Sequence, residues 1–361
     1  MILLDLFSGI GGFHLGLERA GFDFEEVYFS EIDQHAIACY KHNFKNIEYV
    51  GDVKSISTSG IRRPNIITFG SPCQNFSMAG RREGLGGRQS SLIKYALAAI
   101  SKFRPDVFIW ENVKGAFSSN NSEDFWAIIQ AFANLGGYRL EWQLLNTSWV
   151  LPQNRERIYL VGHLTESFRN WRPIFPIAED DFPFRKEGNR KLQGATISRS
   201  ITSNYAKMGG DNTYILSRGR GFCEDSVSEV CPTIRGSSFE HNTSIIQLNK
   251  EANWGGTVRQ NDRIYSDKGI MACIPSASTE CKVNIKTGSH IRRLTEIECE
   301  RLQGFPDDWT KYGDYGEVKE IAKTNRYKLI GNAVTVNIVE LVAKRIKINY
   351  DNNTNKNHNA I

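Results

Sequence analysis

Short apolar runs and helical apolar stripes take turns along the first half of this chain. Met1–Phe7 is apolar apart from Asp5 and reads as a buried strand. Phe13–Ala20 carries a helical stripe closed by Gly21. Further strands are expected at Glu26–Ser30, Ile47–Val50, Asn65–Phe69, Asp106–Trp110 and Arg139–Leu145. Helices are expected at Leu92–Phe103 and Trp126–Leu135. Such alternation predicts an α/β fold around a parallel sheet. The pattern changes between residues 172 and 288, where Pro173, Pro176 and Pro183 open a stretch of short polar, Gly- and Ser-rich segments with brief β-like runs. An amphipathic helix is expected at Thr335–Ile346, and the Asn-rich tail from Asn349 is expected to be disordered. The expected organisation is a main lobe over 1–171, a smaller lobe over 172–288, a returning segment over 289–348 and a tail over 349–361.

Composition narrows the class. The chain has 361 residues, enough for a large core and two lobes. No apolar run approaches membrane-spanning length, and Met1–Leu4 runs straight into Asp5, so no signal peptide is expected. Seven scattered cysteines form no metal-binding pattern and fit a reducing, cytoplasmic setting without a bound metal. The net charge of +5 is a mild bias compatible with a nucleic-acid partner.

Chemistry concentrates where strands end. Pro72-Cys73-Gln74 follows the Asn65–Phe69 strand, at the carboxyl edge where open α/β sheets build sites. Cys73 reads as a nucleophile on a stiff turn or as a small buried residue. Phe7-Ser8-Gly9-Ile10-Gly11-Gly12 reads as a loop for close ligand approach or as a tight turn, and its spacing is not the usual dinucleotide one. Glu31, past the second strand, could accept from a ribose diol or be a solvated charge. Asp52, past the third, could meet an adenine amino group or cap a turn. A nucleoside cofactor without a polyphosphate fits this edge. Glu111 should lie near Cys73 if their strands are neighbours. Arg155 and Arg157 alternate onto one side of a strand, to hold an anion or carbonyl or to guard an exposed edge. Residues 78–91 lack any period and read as a loop that closes over a polyanion or as solvated surface.

Taken together these residues resemble the DNA (cytosine-5)-methyltransferase family. The matching order is Asp5–Phe13, Glu31, Asp52, Pro72-Cys73-Gln74, Glu111-Asn112-Val113 and Gln153-x-Arg155-x-Arg157. It continues with Arg293-Leu294-Thr295-x-x-Glu298-Cys299-x-Arg301-Leu302-Gln303-Gly304-Phe305-Pro306 and Gly331-Asn332-Ala333-Val334. The resemblance implies a Rossmann-like, S-adenosyl-L-methionine (AdoMet)-dependent sheet, a smaller loop- and strand-rich target recognition lobe, and double-stranded DNA in the cleft between them.

It further implies that Phe7, Gly9, Ile10, Gly11 and Gly12 pack around AdoMet, with Glu31 on the ribose, Ile32 on the adenine, and Asp52 with Val53 at its amino group. Pro72, Leu92, Asn332 and Val334 would complete the pocket. Cys73 would add to C6 of a flipped cytosine, Glu111 would hold N3 and the exocyclic amine, and Arg157 would donate to O2 with Arg155 nearby. S-adenosyl-L-homocysteine (AdoHcy) would be the product. Arg81, Arg82, Arg88, Gln89 and Ser90 would form a lid on DNA. Arg199, Arg218, Arg220, Arg235 and Arg259 are candidate phosphate or guanine contacts. Size and one target region suggest a monomeric bacterial or phage enzyme of the restriction–modification kind, with a separate partner endonuclease. Competing expectations are a tRNA cytosine-C5 methyltransferase of the same fold and a catalytically silent DNA-binding homologue.

Overall fold

The computed structural model describes residues 1–56, 60–70, 92–116, 123–168, 170–178, 264–266, 284–287 and 290–358. Its centre is a seven-stranded sheet: β1 (Ile2–Leu6), β2 (Glu26–Ser30), β3 (Ile47–Tyr49), β4 (Ile66–Gly70), β5 (Val107–Val113), β6 (Tyr138–Asn146) and β7 (Glu156–Leu164). Helices α1 (Gly12–Arg19), α2 (Gln34–Asn43), α3 (Ile93–Phe103) and α4 (Glu123–Ala133) alternate with them. The strand order is β3-β2-β1-β4-β5-β7-β6, parallel except for β7, which runs against both neighbours.

That order places the site. The chain leaves β1 toward one edge of the sheet and returns at β4 to build toward the other. Loops after β1 and β4 therefore part at the carboxyl edge and leave a crevice there. Alternation along the strands divides the sheet's two faces. Leu4, Ile67, Phe69, Phe108 and Trp110 pack beneath α3 and α4. Leu3, Ile66, Val107 and Ile109 pack beneath α1 and a long final helix, α7 (Val336–His358). Both faces are covered, so these strands are almost wholly apolar.

Between β7 and α7 come β8 (Ile264–Ser266), β9 (Asn284–Thr287), β10 (His290–Arg293), α5 (Glu296–Gln303), the hairpin β11 (Tyr312–Asp314) and β12 (Val318–Glu320), and α6 (Lys323–Asn332). Strands β8, β9 and β10 form a separate small sheet. A capping box of Thr295 and Glu298 starts α5. The returning segment docks through a third cluster, in which Phe305, Trp309, Ile321 and Leu329 pack on Phe29, Cys39 and Tyr40 of the main lobe. At the α1–α7 crossing a Cβ on Gly16 would stand 2.5 Å from Val339 Cγ1, so only glycine permits this approach.

The start of the segment expected to form the smaller lobe packs on the main lobe. Ile174 and Ile177 are buried with the main core, and Gln143 and Ile177 exchange bonds of 2.9 and 2.8 Å across the edge strand β6. Of the tail expected to be disordered from Asn349, the described residues continue α7 to His358. Asn349 is buried and clasps the backbone of Arg172, accepting from its N–H at 2.6 Å and donating to its carbonyl at 3.0 Å. Asn353 donates to the Ser167 carbonyl at 2.8 Å. The asparagines that lowered the local hydropathy are partners for irregular backbone that has no strand of its own.

Candidate active site

The glycine loop after β1 turns on left-handed residues. Phe7, Gly9 and Gly11 have φ of 52°, 54° and 85°. Its shape is held by the second strand's end. Ser8 N–H donates to the Ser30 carbonyl at 3.1 Å and Gly9 N–H to Glu31 Oε2 at 2.8 Å. The other oxygen of Glu31 accepts from Ile32 and Asp33 N–H at 2.7 and 3.0 Å. Beside it Ile32 is 73% exposed, an apolar side chain left open at the site's edge. Tyr49, also exposed, donates to the Glu31 carbonyl at 2.9 Å. Asp52 caps a short turn through Lys54 N–H at 3.0 Å, and Val53 is buried behind it.

A cavity sits on the switch point. It is lined by Phe7, Ser8, Gly9, Gly12 and Phe13 from the first loop, Gly70 and Glu111 from β4 and β5, and Asn332, Ala333 and Val334 from the far end of the chain. Gly12 is required where the two ends meet, because a Cβ there would stand 2.7 Å from Val334 Cγ2. A second tie runs from Trp309 Nε1 to the Ile10 carbonyl at 3.0 Å. Five of the expected cofactor residues, Phe7, Gly9, Gly12, Asn332 and Val334, line this cavity. Ile10 does not: it is buried with Phe29 and Tyr40. Leu92, half-buried, precedes α3 as its N-cap. Gly70 and Ala333 also line the cavity, without a sequence signal. Neither carries a polar group to mark it, and only adjacency across the sheet brings them there.

Glu111 pairs in register with Gly70, so β4 and β5 are neighbours, and Gly70, three residues before Cys73 in the sequence, lies beside this carboxylate. Glu111 is 8% exposed, and burial pushes its carboxyl above the ordinary range, opposed by the nearby Arg157 and Arg155 guanidinium groups. Arg157 meets it directly, Nε to Oε1, at 3.0 Å. Next to them Lys114 and Glu156 pair at 3.0 Å. Arg155 is more deeply buried, and its guanidinium donates to the Gly331 and Ala333 carbonyls at 3.3 and 2.8 Å. The two arginines are therefore on one side, as alternation requires, but hold different groups. Pro72, Cys73, Arg81, Arg82, Arg88, Gln89, Ser90, Arg199, Arg218, Arg220, Arg235 and Arg259 lie outside the described residues. Among the described residues no cluster of three or more His, Cys, Asp or Glu side chains could hold a metal, and no helix is long and apolar enough to cross a membrane.

Comparison with known proteins identifies the family. A family model described as C-5 cytosine-specific DNA methylase matches residues 1–348. The chain is 28% identical over 353 residues to the type II methyltransferase M.Bsp6I of Bacillus sp. (strain RFL6), covering 95% of this chain and 98% of that one. It is 26% identical over 437 residues to the orphan methyltransferase M.SPRI of Bacillus phage SPR, covering 97% and 98%. Among solved structures, a putative DNA modification methyltransferase encoded within a prophage of E. coli aligns with a TM-score of 0.57 at 22% identity, over 97% of this chain and 99% of that one. The last likeness bears on the fold alone, the Rossmann-like sheet. The chain belongs to the C-5 cytosine-specific DNA methylase family, and with it to the DNA (cytosine-5)-methyltransferases.

Proposed function

We propose that this protein transfers the methyl group of AdoMet to C5 of a cytosine flipped out of a short, specific duplex DNA sequence. The observation that carries the reading is Glu111, which lines the cavity together with the glycine loop and is paired with Arg157, beside the strand end that leads to Cys73. The residues fit the cofactor. A loop of small residues permits close approach, Glu31 stands at its rim, and Ile32 offers an open apolar surface for an aromatic ring. Phe7, Gly9, Gly12, Asn332 and Val334 would hold AdoMet, with Gly11, Asp52, Val53, Pro72 and Leu92 as further candidates. When bound it supplies an electrophilic methyl group on sulfonium.

Cytosine C5 is a poor nucleophile, so the chain must activate the ring. The Cys73 thiolate adds to C6 and shifts electron density to C5. Glu111, whose burial favours its protonated form, donates to N3 and accepts from the exocyclic amine. Arg157, held beside that carboxyl, donates to O2 and offsets the charge gained by the ring. Loss of the C5 proton expels Cys73 and restores the ring. In the stacked duplex the ring faces are covered and N3 is engaged in pairing, so thiolate attack at C6 and the contact to N3 require base flipping. Arg81, Arg82, Arg88, Gln89 and Ser90 would close on the DNA, and Arg199, Arg218, Arg220, Arg235 and Arg259 would contact it. The type II relatives support a restriction–modification setting; in this reading the enzyme acts as a monomer in a bacterial cytoplasm, apart from any cognate endonuclease.

Bisulfite sequencing of DNA from a methylation-free host expressing the chain tests this reading. Protected cytosines within one short motif are expected. Their absence with folded protein present would refute it. Cys73→Ala should abolish protection while retaining AdoHcy binding, and full protection by that variant would remove Cys73 as nucleophile.

A further inference from the structure

We infer that Arg155 is a positioning strut for the cofactor wall and not a contact to the cytosine: it holds the backbone of residues 331–333 against the β6–β7 turn. The inference rests on the AdoMet assignment proposed above.

Three observations carry it. First, the guanidinium is deeply inside the protein, 4% exposed, with Nη1 donating to the Gly331 carbonyl and Nη2 to the Ala333 carbonyl. These carbonyls end α6, where a helix has unsatisfied acceptors and where a cation is favoured. Second, the same short segment carries Asn332, Ala333 and Val334, one entire wall of the cavity. Its neighbours in sequence come from the far end of the chain, so nothing in the local backbone fixes its distance from the glycine loop. Third, the base of the strut is itself anchored. Arg155 N–H donates to Asn146 Oδ1 at 3.1 Å, and its carbonyl accepts from Thr147 N–H at 2.9 Å. Asn146 Nδ2 donates to Asn154 Oδ1 at 2.7 Å. A parallel tie, Thr147 Oγ1 to Thr335 Oγ1 at 2.8 Å, joins the same turn to the start of α7.

Arg157, two residues on, contrasts with it. Its Nε faces the Glu111 carboxylate, and its side chain is partly open to the cleft. The pair thus divides its work: Arg157 serves the base pocket and Arg155 sets the gap in which the cofactor sits. A planar fork reaching two carbonyls at once is a task for which lysine is a poor substitute.

Calorimetric titration of AdoHcy into DNA-free protein separates the roles, combined with hydrogen exchange over residues 329–336. For R155Q the dissociation constant is expected to rise about tenfold or more, and exchange across 329–336 to accelerate, while β1 and β4 stay protected. R155K should fall between R155Q and the unsubstituted protein, and it decides the matter if R155Q fails to fold. In turnover, KM for AdoMet should rise more than kcat falls. R157K should do the opposite, losing kcat at an unchanged AdoHcy constant. An unchanged constant and unchanged exchange in the Arg155 variants, with kcat reduced, would overturn the strut and leave the proposed function standing. Failure of the unsubstituted protein to bind AdoHcy would overturn both.

Discussion

Replacing Gly12 by alanine should damage the cofactor cavity directly. The added Cβ would lie 2.7 Å from Val334 Cγ2, 3.1 Å from the Val334 carbonyl oxygen and 3.3 Å from Phe305 Cζ. An ordinary carbon–carbon contact is about 3.5 Å or more, so the first of these must open by about 0.8 Å. Val334 has little freedom to yield. It is β-branched and stiff about χ1, and its other methyl already faces Gly70 of β4. The wall of residues 332–334 must therefore move as a body. Overpacking of this kind costs about 1–3 kcal/mol of stability. A wall displaced by most of an ångström should lose about 1.4 kcal/mol or more of cofactor binding, a tenfold rise in dissociation constant. Gly16→Ala is the matched control. Its Cβ would meet Val339 Cγ1 at 2.5 Å, a worse overlap, but in the α1–α7 contact and not on the cavity. Thermal melts should show both variants destabilised, and AdoHcy calorimetry should show the larger affinity loss in Gly12→Ala. Wild-type affinity in folded Gly12→Ala would refute the argument that the far wall and the glycine loop together form the cofactor site.

Three further outcomes can be checked. Glu31→Ala removes the acceptor for Gly9, Ile32 and Asp33 N–H and should weaken AdoHcy binding about tenfold or more by calorimetry; unchanged affinity would take Glu31 out of the cofactor site. Burial raises the Glu111 carboxyl above its unfolded value, so the folded state holds a proton that the unfolded state has lost over the intervening pH window. That contribution to stability is complete below the ordinary carboxylate range and is lost as pH rises through the folded value. Urea unfolding from about pH 4 to about pH 8 should show wild type losing stability relative to Glu111→Gln as pH rises; parallel curves would contradict it. Truncation after Ile348 removes Asn349 and Tyr350, whose ring meets Phe22 and Phe168 edge-on, and should cost about 2–4 kcal/mol in chemical denaturation. An unchanged midpoint would return the tail to solvent.

The alternation of apolar runs and stripes determined the first lobe almost by itself, because strands buried on both faces must be continuously apolar. Strand ends carried the chemistry for a related reason. A parallel sheet leaves one edge free, so Glu31, Asp52 and Glu111 announced themselves as polar residues just past apolar runs. Local pattern could not decide which edges lie side by side. Only the strand order brings Gly70 level with Glu111, and only tertiary packing brings Asn332–Val334 back from the far end to face Gly12. Sequence spacing likewise put Arg155 and Arg157 on one side without showing that one holds a carboxylate and the other two backbone carbonyls. Asn349 belongs here too: an asparagine reads as disorder until an irregular segment such as 170–178 needs its amide. Periodicity encodes which face of an element is buried. Partner identity is settled by contacts between residues far apart in the chain, and hydropathy contains no term for those.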